Sequence, residues 1–317
     1  HKRSALLRYV KQTSPRIFVA GLLRNNCDLA LHYSVEILKL TMLYGTTSLE
    51  NIFISLHESG SDAHDCTAQA LLFLKKILVA LKVPHSIRVG QSSRLPNRAR
   101  IDFLQEIRNA ALFELYSARR EYDEVVYLSD SFFCASDIIR LLRHSDASIK
   151  CGIDLSVGGG TARFYDTWVA HDVTGNMFSN NLPFVQDETS QNAFKEGRVF
   201  QVSSCWNGLT VLRASVFHRG ARFRRSIDSS ECHAAETELI CRDFRALGHG
   251  NIVVDPQVTV TYSRKEYIDL RAGLGGQILL GQTLLEKSTL RSIPTIDSWQ
   301  PAPVCDACAP LDGHVGH

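Results

Sequence analysis

An apolar stretch, Val126-Tyr-Leu-Ser, runs directly into Asp130 and restarts as a helix that Ser136 or Asp137 is placed to cap. In open α/β sheets ligands bind beyond the carboxyl ends of the strands, and a carboxylate fixed there can hold a divalent ion bridging a diphosphate. The same segment also reads as an ordinary βα loop with an Asp cap. Two other polar clusters follow apolar runs. Arg24-Asn25 offers a cation and an amide to an anionic ligand. Glu58, Ser59, Ser61 and Asp62 offer carboxylates and hydroxyls suited to base or ribose hydroxyls, on a turn whose glycine lets the backbone come close. Together these describe a pocket for a nucleoside diphosphate with a divalent metal. Neither G-x-G-x-x-G nor G-x-x-x-x-G-K-[ST] is present, which argues against dinucleotide and P-loop sites.

The elements that must position these residues alternate along the first half. Ile17-Phe-Val-Ala20 is followed by Leu31, Val35, Leu38 and Met42 at helical spacing. Asn51-Ile-Phe-Ile-Ser55 is followed by a helix with Ala70, Leu74, Ile77 and Leu81 on one face, ended by Pro84. His85 to Val89 reads as a third strand, and a helix carrying Leu104, Ile107, Ala111 and Leu115 leads into the strand Val125 to Leu128. This rhythm implies an α/β fold, with a mostly parallel sheet and right-handed crossovers. Past Val157-Gly-Gly-Gly-Thr161 the chain is richer in aromatics and loops, and order returns in a helix from Ala235 to Ala246, stopped by Gly248, with strands at 252–254 and 258–262. We expect a nucleotide-binding half over 15–155, a substrate half over 156–290, and a tail over 291–317.

The composition of the 317 residues, 44% hydrophobic and 21% charged, is that of a globular chain with a substantial core. A net charge near +2 gives no long-range field of the kind nucleic-acid binders show, so no nucleic-acid partner is expected. The basic runs Arg94 to Arg100 and Arg219 to Arg225 are short, and suit a diphosphate or anionic glycan as well as they suit solvent. No run of about 18 apolar residues marks a membrane span. The nine cysteines are scattered, and fit either disulfides of a secretory compartment or buried thiols. No Asn-x-Ser/Thr sequon is present. Cys305-Asp-Ala-Cys308 with His314 and His317 is too compressed to argue strongly for zinc.

Ile17-Phe-Val-Ala with Asn25-Asn26, Asn51-Ile-Phe-Ile-Ser-Leu-His-Glu-Ser-Gly-Ser, Arg108-Asn-Ala-Ala-Leu112, Val126-Tyr-Leu-Ser-Asp-Ser-Phe-Phe-Cys, Phe164-Tyr-Asp-Thr-Trp168, Ser204-Cys-Trp-Asn-Gly208 and Glu236-Thr-Glu-Leu-Ile-Cys-Arg-Asp243 form an ordered set. That set resembles the fungal cryptococcal-type α-1,3-mannosyltransferases, which include the capsule-associated glycosyltransferases, over about residues 15 to 265. The resemblance implies a GT-A type, Rossmann-like sheet flanked by helices with a fused acceptor-binding half. It also implies a retaining hexosyltransferase using GDP-mannose and Mn²⁺ (or Mg²⁺) and acting on a mannose-containing glycan or glycolipid in fungal polysaccharide biosynthesis. The expected setting is the Golgi lumen, as a type II membrane protein whose N-terminal anchor is not in this sequence.

On the matching positions, Asp130 falls at the acidic, DxD-like metal position, although Leu128-Ser-Asp-Ser131 supplies one carboxylate where the full motif supplies two. The remaining ligands would be diphosphate oxygens, water, or a distant group such as Asp154 or Glu236. Arg24, Asn25, Glu58, Ser59, Ser61, Asp62, Arg108 and Asp154 are the expected nucleotide-sugar contacts. Arg108 also reads as a solvated helix residue. Glu236, with Asp187 behind it, is the expected catalytic carboxylate beside the anomeric carbon; Glu236 reads equally as a helix-start residue facing the dipole. Trp168 and Trp206 offer apolar faces to sugar C–H groups, and Asp166 and Asn207 offer paired hydrogen-bonding atoms, which makes them the acceptor-site expectation or, for the tryptophans, simply core. A different donor such as a UDP-sugar, and a non-catalytic glycan-binding homologue, remain open at this level.

Overall fold

The computed structural model describes residue 13 and residues 15–271, apart from 46–47, 91–98, 118–120, 159–160, 228–230 and 232. The expected tail at 291–317, with Cys305, Cys308, His314 and His317, lies outside the described residues, as do Arg94 and Arg98. In chain order the elements are β1 (Ile17–Leu23), α1 (Cys27–Tyr44), a 3₁₀ turn (Leu49–Asn51), β2 (Ile52–Glu58), α2 (Thr67–Ala80), β3 (His85–Arg88), α3 (Arg100–Ala111) and α4 (Phe113–Ser117). They continue with β4 (Glu124–Ser129), α5 (Ala135–Leu142), β5 (Ile149–Gly158), β6 (Thr161–Phe164), α6 (Glu188–Lys195), β7 (Phe200–Gln201), β8 (Leu209–Arg213), α7 (Ala214–His218), α8 (Glu236–Ala246), β9 (Ile252–Thr261) and α9 (Arg264–Arg271).

The sheet order is β3-β2-β1-β4-β8-β5-β9-β7, with β6 paired to β5. β3, β2, β1 and β4 are parallel neighbours, as the alternating βα rhythm requires. β8 runs antiparallel between β4 and β5, while β9 returns parallel to β5. The expected mostly parallel sheet flanked by helices is therefore present, with the direction changes confined to the second half. The 155/156 division falls inside β5, so one sheet passes through both halves.

Every residue of β1 is buried, because helices cover both faces of the sheet. One layer packs Tyr33, Ile37 and Leu40 of α1 and Leu71, Leu74 and Leu78 of α2. The other packs Leu112 and Leu115 against Phe217, Phe223, Ile240 and Phe244. Each such side chain contributes about 1.5–3 kcal/mol on burial. β1 lies close to its neighbours at Gly21, where an added Cβ would meet Leu56 Cδ2 at 2.9 Å.

Several local expectations need correction. Leu31, Val35 and Met42 do recur with a helical period, but they are 48%, 51% and 69% exposed; the buried face is Leu29, Tyr33, Ile37, Leu40 and Tyr44. Likewise Leu81 is exposed at the end of α2. The helix carrying Leu104 to Leu115 breaks at Leu112 into α3 and α4. The strands expected at 252–254 and 258–262 are one strand, β9, with a register shift opposite Cys151 to Ile153. Gly152 sits at that shift, where a Cβ would meet Val258 O at 2.7 Å. Two disulfides add covalent ties: Cys27–Cys66 joins the starts of α1 and α2, and Cys151–Cys205 joins β5 to the loop before β8, with Cα separations of 4.9 and 6.3 Å.

Candidate active site at the strand ends

Asp130 follows β4 directly and takes a left-handed backbone, φ 46°, a conformation Asp and Asn tolerate better than other non-glycine residues. It does not open a helix: α5 starts at Ala135, and Asp137 reaches back to accept from the Cys134 N–H at 2.8 Å. The capping expectation thus holds for Asp137 as the returning half of the box and fails for Ser136. Asp130 is solvent-exposed at the end of β4. Loss of solvation pushes its pKa up to about 6, against the pull of Arg108 and Arg100.

Arg108 of α3 is the centre of the site. Its Nε donates to Glu236 Oε1 at 2.8 Å, and the two side chains are only 12% and 3% exposed. Its Nη1 donates to Ser129 Oγ at 3.3 Å, and the same hydroxyl accepts from Trp206 Nε1 at 2.8 Å. The guanidinium carbon lies 4.9 Å from the Trp206 ring centroid, 5.4 Å from that of Tyr127 and 5.8 Å from that of Phe223. Burial opposes the charge, but Glu236, Tyr127 and Asp130 outweigh it and hold the guanidinium pKa above its usual value. Arg108 is therefore no solvated helix residue. Glu236 is the first residue of α8, and its Oε1 is committed to Arg108.

Asp154 and Asp166 lie near each other, and Asp166 lies within the field of Arg108 and Glu236. Asp154 lies in β5, fully buried, with Oδ2 accepting from Tyr262 Oη at 2.7 Å and Oδ1 enclosed without a hydrogen-bond partner. Burial first, then the neighbouring Asp166, push its pKa up to about 8. Asp166 is half-buried on the turn after β6; burial raises its pKa, with Arg108 pulling down and Glu236 pushing up. The two titrate as a pair.

Several of the other expected residues are hydrogen-bonded to one another or to the backbone. Asn25 and Asp62 clasp each other across the sheet edge: Asn25 Nδ2 donates to Asp62 Oδ2 at 2.9 Å, and the Asp62 N–H donates to Asn25 Oδ1 at 2.7 Å. The Asn25 N–H donates to Ser61 Oγ at 2.9 Å. Ser59 donates its N–H to Leu23 O at 3.0 Å. Glu58 is buried, accepting from the N–H groups of Ser61 and Gly90, so its carboxylate fastens the β2 and β3 loops rather than facing a base. Arg24 is exposed at the end of β1 beside this clasp.

Asp187 is the N-cap of α6, with Oδ2 accepting from the Ser190 N–H at 2.7 Å. Asn207 is fully buried and its Nδ2 donates to Gly152 O at 2.8 Å. With Gly208 it forms a left-handed pair, φ 48° and 71°, so the backbone turn demands Asn-Gly here and leaves no amide for a sugar. Trp206 is 3% exposed and lies against Arg108, whereas Trp168 is 43% exposed and keeps a face for an acceptor. The basic run at 219–225 is largely engaged internally: Arg224 pairs with both Glu231 and Asp243, Arg222 lies over Tyr116, Arg219 bonds His249 and Arg225 faces Asp102. Sequence reasoning missed Ser129, Tyr127, Phe223 and Tyr262. Ser129 adjoins Asp130 and was within reach of inspection, but the other three read as ordinary core aromatics.

Among the described residues no three His, Cys, Asp or Glu side chains group closely enough to hold a metal ion. Asp130 is solvent-exposed, which suits a carboxylate meeting a cation that arrives with an anionic ligand. Asp154 is fully buried, and Glu236 Oε1 is bonded to Arg108.

The sequence model of the family described as Cryptococcal mannosyltransferase 1 matches residues 16–243. An alpha-1,3-mannosyltransferase of Cryptococcus neoformans var. neoformans serotype D is 29% identical over 306 residues, 87% of this chain and 62% of that protein. Among solved structures the chain is similar to mannosyl-3-phosphoglycerate synthase from Rubrobacter xylanophilus, at 10% identity and a TM-score of 0.39, covering 86% of this chain and 76% of that one. It is also similar to glucosyl-3-phosphoglycerate synthase from Mycobacterium tuberculosis, solved with Mn²⁺, UDP and glucosyl-3-phosphoglycerate, at 14% identity and a TM-score of 0.41, covering 90% of this chain and 85% of that one.

Proposed function

The chain belongs to the cryptococcal mannosyltransferase 1 family, and on that premise we propose that it transfers mannose from GDP-mannose to a mannose-containing glycan or glycolipid. The reading includes an α-1,3 linkage made with retention of configuration. The observation that carries it is Arg108: a buried cation, pinned by Glu236 and three aromatic rings, beside an open carboxylate at the end of β4.

Sugar transfer from a nucleotide needs the departing diphosphate stabilised while positive charge grows at the anomeric carbon. Arg108 supplies fixed positive charge that needs no reorganisation, because Glu236, Ser129 and the rings already orient it. Asp130 would hold a divalent ion delivered with the diphosphate, and that ion would act as a Lewis acid on the leaving group. With Glu236 engaged by Arg108 and Asp187 capping α6, Asp166 is the carboxylate left to face developing positive charge or the acceptor hydroxyl. The acceptor hydroxyl attacks from the face the phosphate leaves, and a phosphate oxygen takes its proton. Trp168 provides an exposed apolar face for acceptor C–H groups.

A Golgi-lumenal location with an N-terminal anchor is part of the same reading. The Cys27–Cys66 and Cys151–Cys205 disulfides suit an oxidising secretory compartment. No described helix is long and apolar enough to cross a membrane.

The test is nucleotide release from a panel of GDP- and UDP-sugars, with Mn²⁺ and with chelator, with and without a mannose-terminated acceptor. The reading expects release from GDP-mannose that acceptor raises and chelator abolishes. Release from a UDP-sugar alone overturns the donor, and silence with every donor overturns the enzyme.

A further inference from the structure

Asp154 makes contacts that no substrate-binding role requires. Its backbone carbonyl accepts from the Tyr165 N–H at 3.1 Å, and its carboxylate Oδ2 accepts from Tyr262 Oη at 2.7 Å. The Tyr165 and Tyr262 rings pack with centroids 4.4 Å apart. Asp154 thus holds the turn after β6 from below, and Asp166 rides on that turn. The groups acting most strongly on Asp154 are Asp166 and Tyr262, and no cation is among them. Those acting on Asp166 include Arg108 of α3, Glu236 of α8 and Arg100.

Resting on the transferase reading, we propose that Asp154 is a positioning residue for the transfer: from beneath the turn after β6 it holds Asp166 within the field of Arg108. An ionised Asp154 would be fully buried beside a second carboxylate, with Oδ1 enclosed and unpaired. It therefore keeps its proton at neutral pH, which leaves Asp166 as the member that ionises. The proton leaves as pH rises through about 8, and like charge then pushes Asp166 out of place. Transfer falls on that alkaline side.

Asp154→Ala, which removes the support of Asp166 and the partner of Tyr262, lowers kcat about tenfold or more with a smaller change in KM for the donor. Asp154→Asn keeps an acceptor for Tyr262 and copies the neutral acid, so it rescues kcat at pH 7 and loses the alkaline limb. An alkaline limb that persists unchanged in Asp154→Asn, or no rescue relative to Asp154→Ala, overturns the proposal.

Thermal unfolding between pH 5 and 8 tests the proton without relying on transfer. Over that range the native wild type retains a proton on Asp154 that the unfolded chain has released, so the Asp154 contribution to stability falls as pH rises. The Tm of Asp154→Asn minus that of wild type widens as pH rises; a constant gap overturns the proposal. A widening gap in a protein that turns over no donor sinks the transferase reading, and the transfer role of Asp154 with it, while leaving the buried acid as described.

Discussion

Removing the charge of Glu236 should expose how much of the site is built on its pairing with Arg108. The two groups bond at 2.8 Å with 12% and 3% side-chain exposure, so solvent screens them little. At about 4 Å between charge centres and an effective dielectric of about 20, their attraction is about 4 kcal/mol. Removing one partner from a buried pair costs about 3–5 kcal/mol, largely because the other is left buried and uncompensated. Glu236→Gln, which keeps an acceptor for Nε, should cost about 3 kcal/mol, and Arg108→Met about 4 kcal/mol. Independent sites would give about 7 kcal/mol in the double variant; a shared pair gives about 4–5, a coupling of about 2–3 kcal/mol. Urea unfolding of the four proteins supplies these values, and nucleotide release from GDP-mannose supplies the catalytic side. Arg108→Met should lower turnover by a factor of about 100 or more, since it removes fixed charge at the leaving group. Additive stabilities within about 0.5 kcal/mol, or near-normal turnover in Arg108→Met, would refute the reasoning.

Asp130→Asn keeps a residue that tolerates φ 46°, so it should fold with a Tm close to wild type yet lose metal-stimulated donor turnover; retention of that turnover removes Asp130 from the metal position. Asp187→Ala should cost about 1 kcal/mol through the lost α6 cap and leave transfer rates as they were, whereas a large rate loss at unchanged stability would return Asp187 to catalysis. Asp255 is fully buried and binds Arg140 Nε at 2.6 Å and His144 Nε2 at 2.9 Å. Burial raises its pKa, but His144 and Arg140 outweigh that and hold it below the usual Asp value. Its contribution is therefore present above about pH 4 and lost as pH falls further. Asp255→Asn should lower stability at pH 7 by about 3 kcal/mol and flatten the acid limb; an acid limb as steep as that of wild type counts against this assignment.

The parallel half of the sheet was legible because β1, β2 and β4 are short apolar runs ending in polar loops, and the helices between them fix their direction. The buried side of α1 was not. Leu31, Val35, Leu38 and Met42 compete with Leu29, Tyr33, Ile37 and Leu40 as a helical stripe, and only the sheet beneath chooses between them. In the site, the type and place of Asp130 could be read from one segment. The Arg108–Glu236 bond joins residues 128 apart, and nothing local marks either as the other's partner. Asp187 and Asn207 carry structural bonds for a common reason: side chains good at binding sugars are also good at capping helices and turning backbone. Local sequence cannot say which use a given residue serves; its bonded neighbour does.

Mass spectrometry of a mannose-terminated acceptor incubated with GDP-mannose and Mn²⁺ tests the central claim most directly, with wild type and Arg108→Met side by side. The account predicts that wild type adds one hexose, that chelator stops it, and that Arg108→Met adds it at least about 100-fold more slowly. Equal rates from the two proteins, or no hexose added by a folded wild type with any mannosylated acceptor, would contradict it.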